Sequence, residues 1–246
     1  MYQRGKRTVW VTGATSGIGR ACVMQLIQRG DRVIALGRRL ERLEQLQALM
    51  GAHNVHVAVC DVRSLDQVRR SFEDLPPDFA AVDTLVNNAG LMLGTSNFEY
   101  TDSEAMSTMV MTNCMGVLHN TSVLLPSLKS SGRGHIVNVT SIAAYYPYLT
   151  GHVYAATKAF VEHFGANLRT ELASQGVRVT NVAPGRSDTE FQIVRAGKCA
   201  DAPTAGLPQL KAGDVAAAIC WAIDQPKHAN ANSIELVPAC QTLSFR

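Results

Sequence analysis

Tyr154 and Lys158 stand four residues apart in a run, Val-Tyr-Ala-Ala-Thr-Lys-Ala-Phe-Val-Glu-His-Phe, that reads as helix. At that spacing a phenol and an ammonium share one face, a turn apart. A nearby positive charge favours the phenolate and lowers a tyrosine pKa from its usual ~10. A phenol tuned in this way can give or take a proton at a carbonyl or carbinol oxygen. Taken alone the pair is a weak signal, because Tyr-x-x-x-Lys also occurs as a surface pair in many helices. Its weight comes from the rest of the chain.

A glycine-rich stretch, Thr-Gly-Ala-Thr-Ser-Gly-Ile-Gly at 12–19, lies between a strand-like run and a helix-like one. Its glycines at 13, 17 and 19 are spaced differently from a G-x-G-x-x-G fingerprint, but the same physics holds. Glycine lets backbone approach a pyrophosphate, and the N-terminus of the next helix supplies oriented N–H donors. Gly13, Thr15, Ser16, Gly17, Ile18 and Gly19 are therefore candidate cofactor residues. The second strand ends in Gly37-Arg38-Arg39, and no acid appears between Asp31 and Glu41. A dinucleotide fold selecting NAD places Asp or Glu there for the ribose 2′-OH. Guanidinium forks suit a 2′-phosphate instead, with Gly37 leaving the floor open beneath it. The expected cofactor is NADP(H). The bland alternative is two solvated arginines opening a helix, a position where positive charge opposes the macrodipole.

The elements that must hold these groups follow from patterning. At 246 residues the chain suits one α/β domain over 1–246, with a core large enough to need no disulfide or metal staple. Strand-like runs fall at 8–12, 32–36, 55–59, 82–86, 135–139, 177–182 and 233–237. Helical runs fall at 18–29, 40–50, 64–74, 102–128, 153–173 and 214–223. Strands alternating with helices predict a parallel sheet covered on both faces. Ser64 is the expected cap of the third helix.

Composition excludes several classes. A net charge of +3 with 17% charged residues provides no basic footprint for nucleic acid. Cysteines 22, 60, 114, 199, 220 and 240 form no C-x-x-C pair and read as reduced thiols of a cytoplasmic protein. His53 and His56 lack a carboxylate or cysteine partner, so no metal site is expected. The start is polar and basic without a signal-peptide core. The longest apolar run, 215–223, is well short of the ~20 residues of a membrane span.

Together the glycine turn at 12–19, Asp61-Val62, Asn87-Asn-Ala-Gly90, Asn113-Cys-Met-Gly116, Ser141, Tyr154-x-x-x-Lys158 and Pro184-Gly185 resemble the short-chain dehydrogenase/reductases. They occur in family order across nearly the whole chain. The resemblance implies an NAD(P)-dependent oxidoreductase with a Rossmann-type, doubly wound, seven-stranded parallel sheet. It implies that Tyr154 exchanges the proton with the reacting oxygen. Lys158 would lower the Tyr154 pKa and hold the nicotinamide ribose. Ser141 would hydrogen-bond the reacting oxygen, and Asn113 would relay protons through water to Lys158. Asp61 and Val62 would flank the adenine. Asn87 to Gly90 would line the groove, and the segment after Pro184-Gly185 would embrace the carboxamide. The apolar faces of the 102–128 and Tyr154 helices imply a homo-oligomer, a tetramer by family resemblance.

Four further stretches, at 37–43, 87–94, 153–172 and 228–232, resemble the NADP-dependent 3-hydroxy-acid dehydrogenases, a group including serine and malonic-semialdehyde activities. The substrate-side segment, about 186–213, departs from that pattern by being shorter and more charged. Arg186 is a candidate clamp for a substrate carboxylate or the cofactor phosphates, with a surface arginine as the bland alternative, and His152 is a candidate substrate contact beside Tyr154. Tyr145, Tyr146 and Tyr148 would form a pocket wall or a packed loop. The expected partner is a small carbonyl or alcohol, with no nucleic acid and no membrane. The alternatives are a reductase of other ketones or aldehydes and a redox-silent nucleotide-binding sensor or scaffold on the same fold, and a complete Asn113, Ser141, Tyr154 and Lys158 set favours an enzyme.

Overall fold

The computed structural model describes residues 5–196 and 208–243. Cys199 and residues 197–207 of the substrate-side segment lie outside them. In chain order the strands are β1 (Thr8–Val11), β2 (Arg32–Gly37), β3 (Val55–Val59), β4 (Thr84–Asn87), β5 (His135–Val139), β6 (Arg178–Pro184), β7 (Ser187–Asp188), β8 (Leu210–Lys211) and β9 (Ser233–Leu236). The helices are α1 (Gly17–Gln28), α2 (Leu40–Met50), α3 (Leu65–Glu73), α4 (Ser103–Val110), α5 (Gly116–Ser130), α6 (His152–Leu172), α7 (Glu190–Ala196) and α8 (Ala212–Asp224).

Seven strands form one sheet in the order β3-β2-β1-β4-β5-β6-β9, every neighbouring pair parallel. The strand runs are rich in valine and isoleucine because helices cover both faces. Side chains of successive strand residues point to opposite faces, so Val9 and Val11 join the layer of α1, α2 and α8. Trp10 between them joins the layer of α3, α5 and α6. From β1 the chain winds out to β2 and β3, then returns to place β4 on the other side of β1. That reversal opens a crevice at the carboxyl ends of β1 and β4, where open α/β sheets bind ligands.

The helix expected over 102–128 is two helices joined by a π turn, Met111–Met115. Hydrophobic periodicity runs through such a turn without a break, so the sequence pattern does not show it. π turns occur frequently at functional sites, and this one carries Asn113. Ser64 caps α3 as expected, accepting from the Gln67 amide at 3.3 Å. The short β7–β8 pair and α7 come from the 186–213 segment and have no signature in the pattern. No helix among the described residues is long and apolar enough to cross a membrane.

Candidate active site

A cavity of about 770 Å³ follows the strand ends from Arg38 and Asp61 to Tyr154 and Arg195, a size typical of ligand pockets. The β1–α1 turn forms its middle. Gly13 and Gly17 adopt φ of 68° and 50°, which only glycine takes without strain. Ser16 at the head of α1 makes no side-chain cap, leaving the first-turn amides to an anion. Gly19 does not line the cavity, contrary to expectation. A Cβ there would lie 2.4 Å from the Gly13 carbonyl oxygen and 2.5 Å from Asn88 Nδ2, so its smallness lets the turn close onto the β4 loop.

At the β2 end, Arg39 donates to Thr15 Oγ1 at 2.7 and 3.1 Å, to Ser16 Oγ at 2.8 Å and to Glu190 at 3.0 Å. Arg42 donates to both Glu190 oxygens at 2.6 and 2.7 Å. Two guanidinium groups thus converge on one oxyanion, and they hold the Glu190 carboxyl below its ordinary range, Arg42 most strongly. Arg38 lines the adjoining wall beside Asp61. Asp61 is bound by Arg63 at 2.9 and 3.0 Å and held low by it. The floor at Gly37 is not open as expected, because the Thr15 methyl fills it 2.4 Å from where a Cβ would sit.

At the other end Tyr154 is buried on α6, with Ser141 opposite, leading a short turn after β5. Ser141 Oγ accepts from the Ala143 amide at 3.1 Å and hydrogen-bonds Tyr154. Burial pushes the Tyr154 phenol above its usual value, and the Ser141 bond draws it back in part. Lys158, the expected cause of a lowered phenol pKa, is not the group that acts. Its Nζ donates to the Val139 carbonyl at 2.8 Å and lies 5.9 Å from the Tyr154 ring centroid. Burial lowers Lys158 itself to about 8.

Asn113 reaches this end through the β4 loop. Its Nδ2 donates to Leu91 O and Thr157 Oγ1, both at 2.9 Å, and its Oδ1 accepts from the Leu91 amide at 2.9 Å. Its Oδ1 and Lys158 Nζ each lie 3.3 Å from the point where a Cβ on Gly90 would stand. The absent Cβ therefore lets the amide oxygen face the ammonium. One Oδ1 lone pair is left on that side.

The short chain dehydrogenase profile matches residues 7–198. The chain belongs to this family. It is 42% identical over 240 residues to serine 3-dehydrogenase of Rhizobium radiobacter, spanning 96% of each chain. It is 44% identical over 241 residues to sulfoacetaldehyde reductase of Chromohalobacter salexigens, spanning 96% of this chain and 95% of that one. The closed form of serine dehydrogenase complexed with NADP+ superposes with a TM-score of 0.91 at 40% identity, covering 95% of this chain and 96% of that one.

For this short-chain dehydrogenase the cavity gathers Gly13, Thr15, Ser16, Gly17, Ile18, Arg38, Arg39, Asp61, Val62, Ala89, Gly90, Ser141, Tyr154, Lys158, Pro184, Gly185 and Arg186, as the sequence suggested. Two further expectations, for Asn87 and His152, fail. Asn87 ends β4 with its side chain in the sheet interior, donating to Asn138 at 3.0 Å and Thr121 at 3.3 Å. Asn88, the next residue of the expected stretch, does line the groove, its amide holding the Thr12 carbonyl at 2.9 Å. His152 turns to the loop before α4, contacting Ser96 O at 3.1 Å, Thr101 Oγ1 at 3.3 Å and the edge of Phe98. It starts α6 two residues before Tyr154, on the nearly opposite side of a helix with 3.6 residues per turn, so proximity in sequence did not bring it to the cavity. Of the three tyrosines only Tyr148 is a wall. Tyr145 and Tyr146 reach Ser233 and Glu235 at the β9 edge.

Sequence reasoning missed Arg42, Thr189, Glu190, Phe191 and Arg195. Arg42 sits three residues past a motif already read, so helical spacing could have found it. The four from 189–195 could not be found, because a two-turn helix without a repeating apolar pattern has no period to detect. Among the described residues no cluster of three or more His, Cys, Asp or Glu could hold a metal.

Proposed function

We propose that this chain is an NADP(H)-dependent oxidoreductase that interconverts short 3-hydroxy acids, or closely related short acids, with their carbonyl forms. The observation that carries the reading is one cavity with a pair of converging guanidinium groups at one end and Ser141 bonded to buried Tyr154 at the other. The residues present fit a phosphorylated dinucleotide: left-handed glycines and uncapped amides in the middle, and at the β2 end the cations Arg38 and Arg39, with the lining acids Asp61 and Glu190 each bound by arginine. NADP(H), when bound, supplies or accepts the hydride.

The protein's own contribution is proton handling and orientation. Tyr154 is held as the neutral phenol by burial, the form that donates a proton to a carbonyl oxygen during reduction. Ser141 holds that same oxygen in line with the phenol. Lys158, lowered to about 8, is close to neutral pH and can pass a proton inward through water on the Asn113 side. Asn113 in addition clamps Leu91 against α6. Pro184 and Gly185 bound the cavity wall with Gly185 donating to Leu236 O at 2.7 Å, and the segment at 186–213 is read as the substrate side. The redox-silent sensor reading is disfavoured, since Tyr154 and Lys158 are buried at cost in a scaffold that would gain nothing from them.

We also read the protein as a cytoplasmic homo-oligomer, a tetramer by family resemblance. Phe160 on α6 is 42% exposed and stacks on Phe164, and Val110 on α4 is 42% exposed. Light scattering on the eluted protein measures the assembly. For the activity, purified protein is mixed with NADPH and a panel of short semialdehydes, sulfonated aldehydes and bulky neutral ketones. Loss of nicotinamide absorbance with the short acids is expected; turnover of the ketones alone would remove the acid reading and leave the reductase.

A further inference from the structure

Resting on that reading of the cavity, we infer that Arg195, carried on α7, is the residue that binds the acidic group of the substrate and sets the preference for anionic over neutral substrates. Phe191 packs its ring 5.5 Å from the Tyr154 ring. Arg195 is four residues on and so shares that face of α7. Its guanidinium carbon lies 5.8 Å from the centroid of the Tyr148 ring, a wall of the same cavity. The cation thus lines the same cavity as the proton donor and Ser141, where an acid whose carbonyl sits at Tyr154 and Ser141 can direct its charged end to it.

Its bonding leaves room for a ligand. Arg39, Arg42, Arg63 and Arg133 are each paired with a carboxylate. No carboxylate of the described residues pairs with Arg195, and its Nε is buried without a hydrogen-bond partner. Buried donors are nearly always satisfied, and an exception in a native fold calls for an explanation. Arg195 lines the cavity beside Tyr148, and a planar guanidinium fork in a cavity wall is matched by a carboxylate or sulfonate. Its positive charge also lowers the proton affinity of Tyr154 and Tyr148.

Arg186 has an idle Nε too, but it stands directly behind Pro184-Gly185. Its amide is fixed to Gln241 at 2.9 Å and its carbonyl to the Leu210 amide at 2.9 Å, whereas the ring contacts to Tyr148 and Tyr154 come from Arg195 and Phe191 of α7. The anchor expected at Arg186 is therefore moved to Arg195.

The test is steady-state oxidation of 3-hydroxypropionate against propane-1,3-diol, its neutral counterpart of equal length, with NADP+. Arg195→Met is expected to raise KM for the acid about 10- to 100-fold, the equivalent of one charge-assisted hydrogen bond. Constants for the diol should stay within about twofold. Arg195→Lys should fall between, and Arg186→Met should leave the acid-to-diol ratio unchanged. NADPH fluorescence titration of each variant reports folding, and inhibition by propionate in Arg195→Lys replaces Arg195→Met if the latter does not fold. An unchanged KM for the acid, or an equal loss on acid and diol, overturns the inference. A wild type that oxidises the diol but not the acid rejects the acid reading of the site, and the anchor with it. A wild type inert to both rejects the proposed reaction itself.

Discussion

Cofactor choice provides the sharpest test, and Arg42 is the place to make it. Arg39 also holds Thr15 and Ser16, so its removal would disturb the glycine turn together with the phosphate site. Arg42 hydrogen-bonds Glu190 and, among the described residues, neither Thr15 nor Ser16. Replacing it with alanine deletes one cation from the pair and leaves the turn intact. A charge-assisted hydrogen bond contributes about 1.5–3 kcal/mol when shielded. The Arg42 and Glu190 side chains are 41% and 42% exposed, so the contribution is discounted toward that of an exposed pair, about 1 kcal/mol. That corresponds to about a fivefold loss in kcat/KM for NADPH, with NADH unchanged. Arg39→Ala with Arg42→Ala should lose about 25-fold on the same scale. Glu190 competes with the 2′-phosphate for both guanidinium groups, so Glu190→Gln should tighten NADPH about two- to fivefold and leave NADH alone. The assay is kcat/KM for both cofactors at fixed ionic strength, repeated at high salt, where the Arg42 effect should shrink. A wild type that uses NADH as well as NADPH refutes the reasoning, as does an Arg42→Ala enzyme whose NADPH-to-NADH ratio stays within twofold of wild type. The reversal of preference should not be sought at Gly37, because any Cβ there meets the Thr15 methyl.

Tyr154→Phe keeps the ring packed against Phe191 and removes only the proton, so kcat should fall ~10²–10⁴-fold with NADPH affinity retained; near-wild-type turnover would take Tyr154 out of proton transfer. Lys158→Met should abolish most turnover yet raise Tm at neutral pH, since it relieves a buried ammonium. The sign follows from a folded-state pKa of about 8 below an unfolded value of 10.5: the destabilisation is full below about 8 and fades as pH rises to 10.5, where the unfolded chain also loses the proton. Melting curves from pH 7 to 10 should show the two proteins converging, and a pH-independent gap would contradict the burial argument. Gly165→Ala would place a Cβ 2.2 Å from Asn181 Oδ1 and 2.9 Å from Asn138 Nδ2. It should lower stability by about 1–3 kcal/mol in denaturant titration, and an unchanged midpoint would mean that the network yields freely.

Much of this protein is determined locally and was legible in its sequence. Valine-rich strand runs alternating with helical ones prescribe a parallel sheet, since both faces need covering. The glycines at 13 and 17, the cations after β2 and the Tyr154–Lys158 spacing each encode their geometry within a few residues. Only the folded chain decided which way neighbouring groups point. Asn87 and Asn88 are adjacent, yet one enters the sheet interior and the other the groove, because side chains alternate across a strand. Lys158 was expected to tune Tyr154, but in the fold its ammonium turns to the Val139 carbonyl of a strand nineteen residues away, and burial rather than charge governs the phenol. Glu190 and Arg195 reach opposite ends of one cavity from a two-turn helix. Their partners, Arg42 and Tyr148, are 148 and 47 residues distant. Such pairings depend on how layers stack in space, and a periodicity confined to one element carries no record of them.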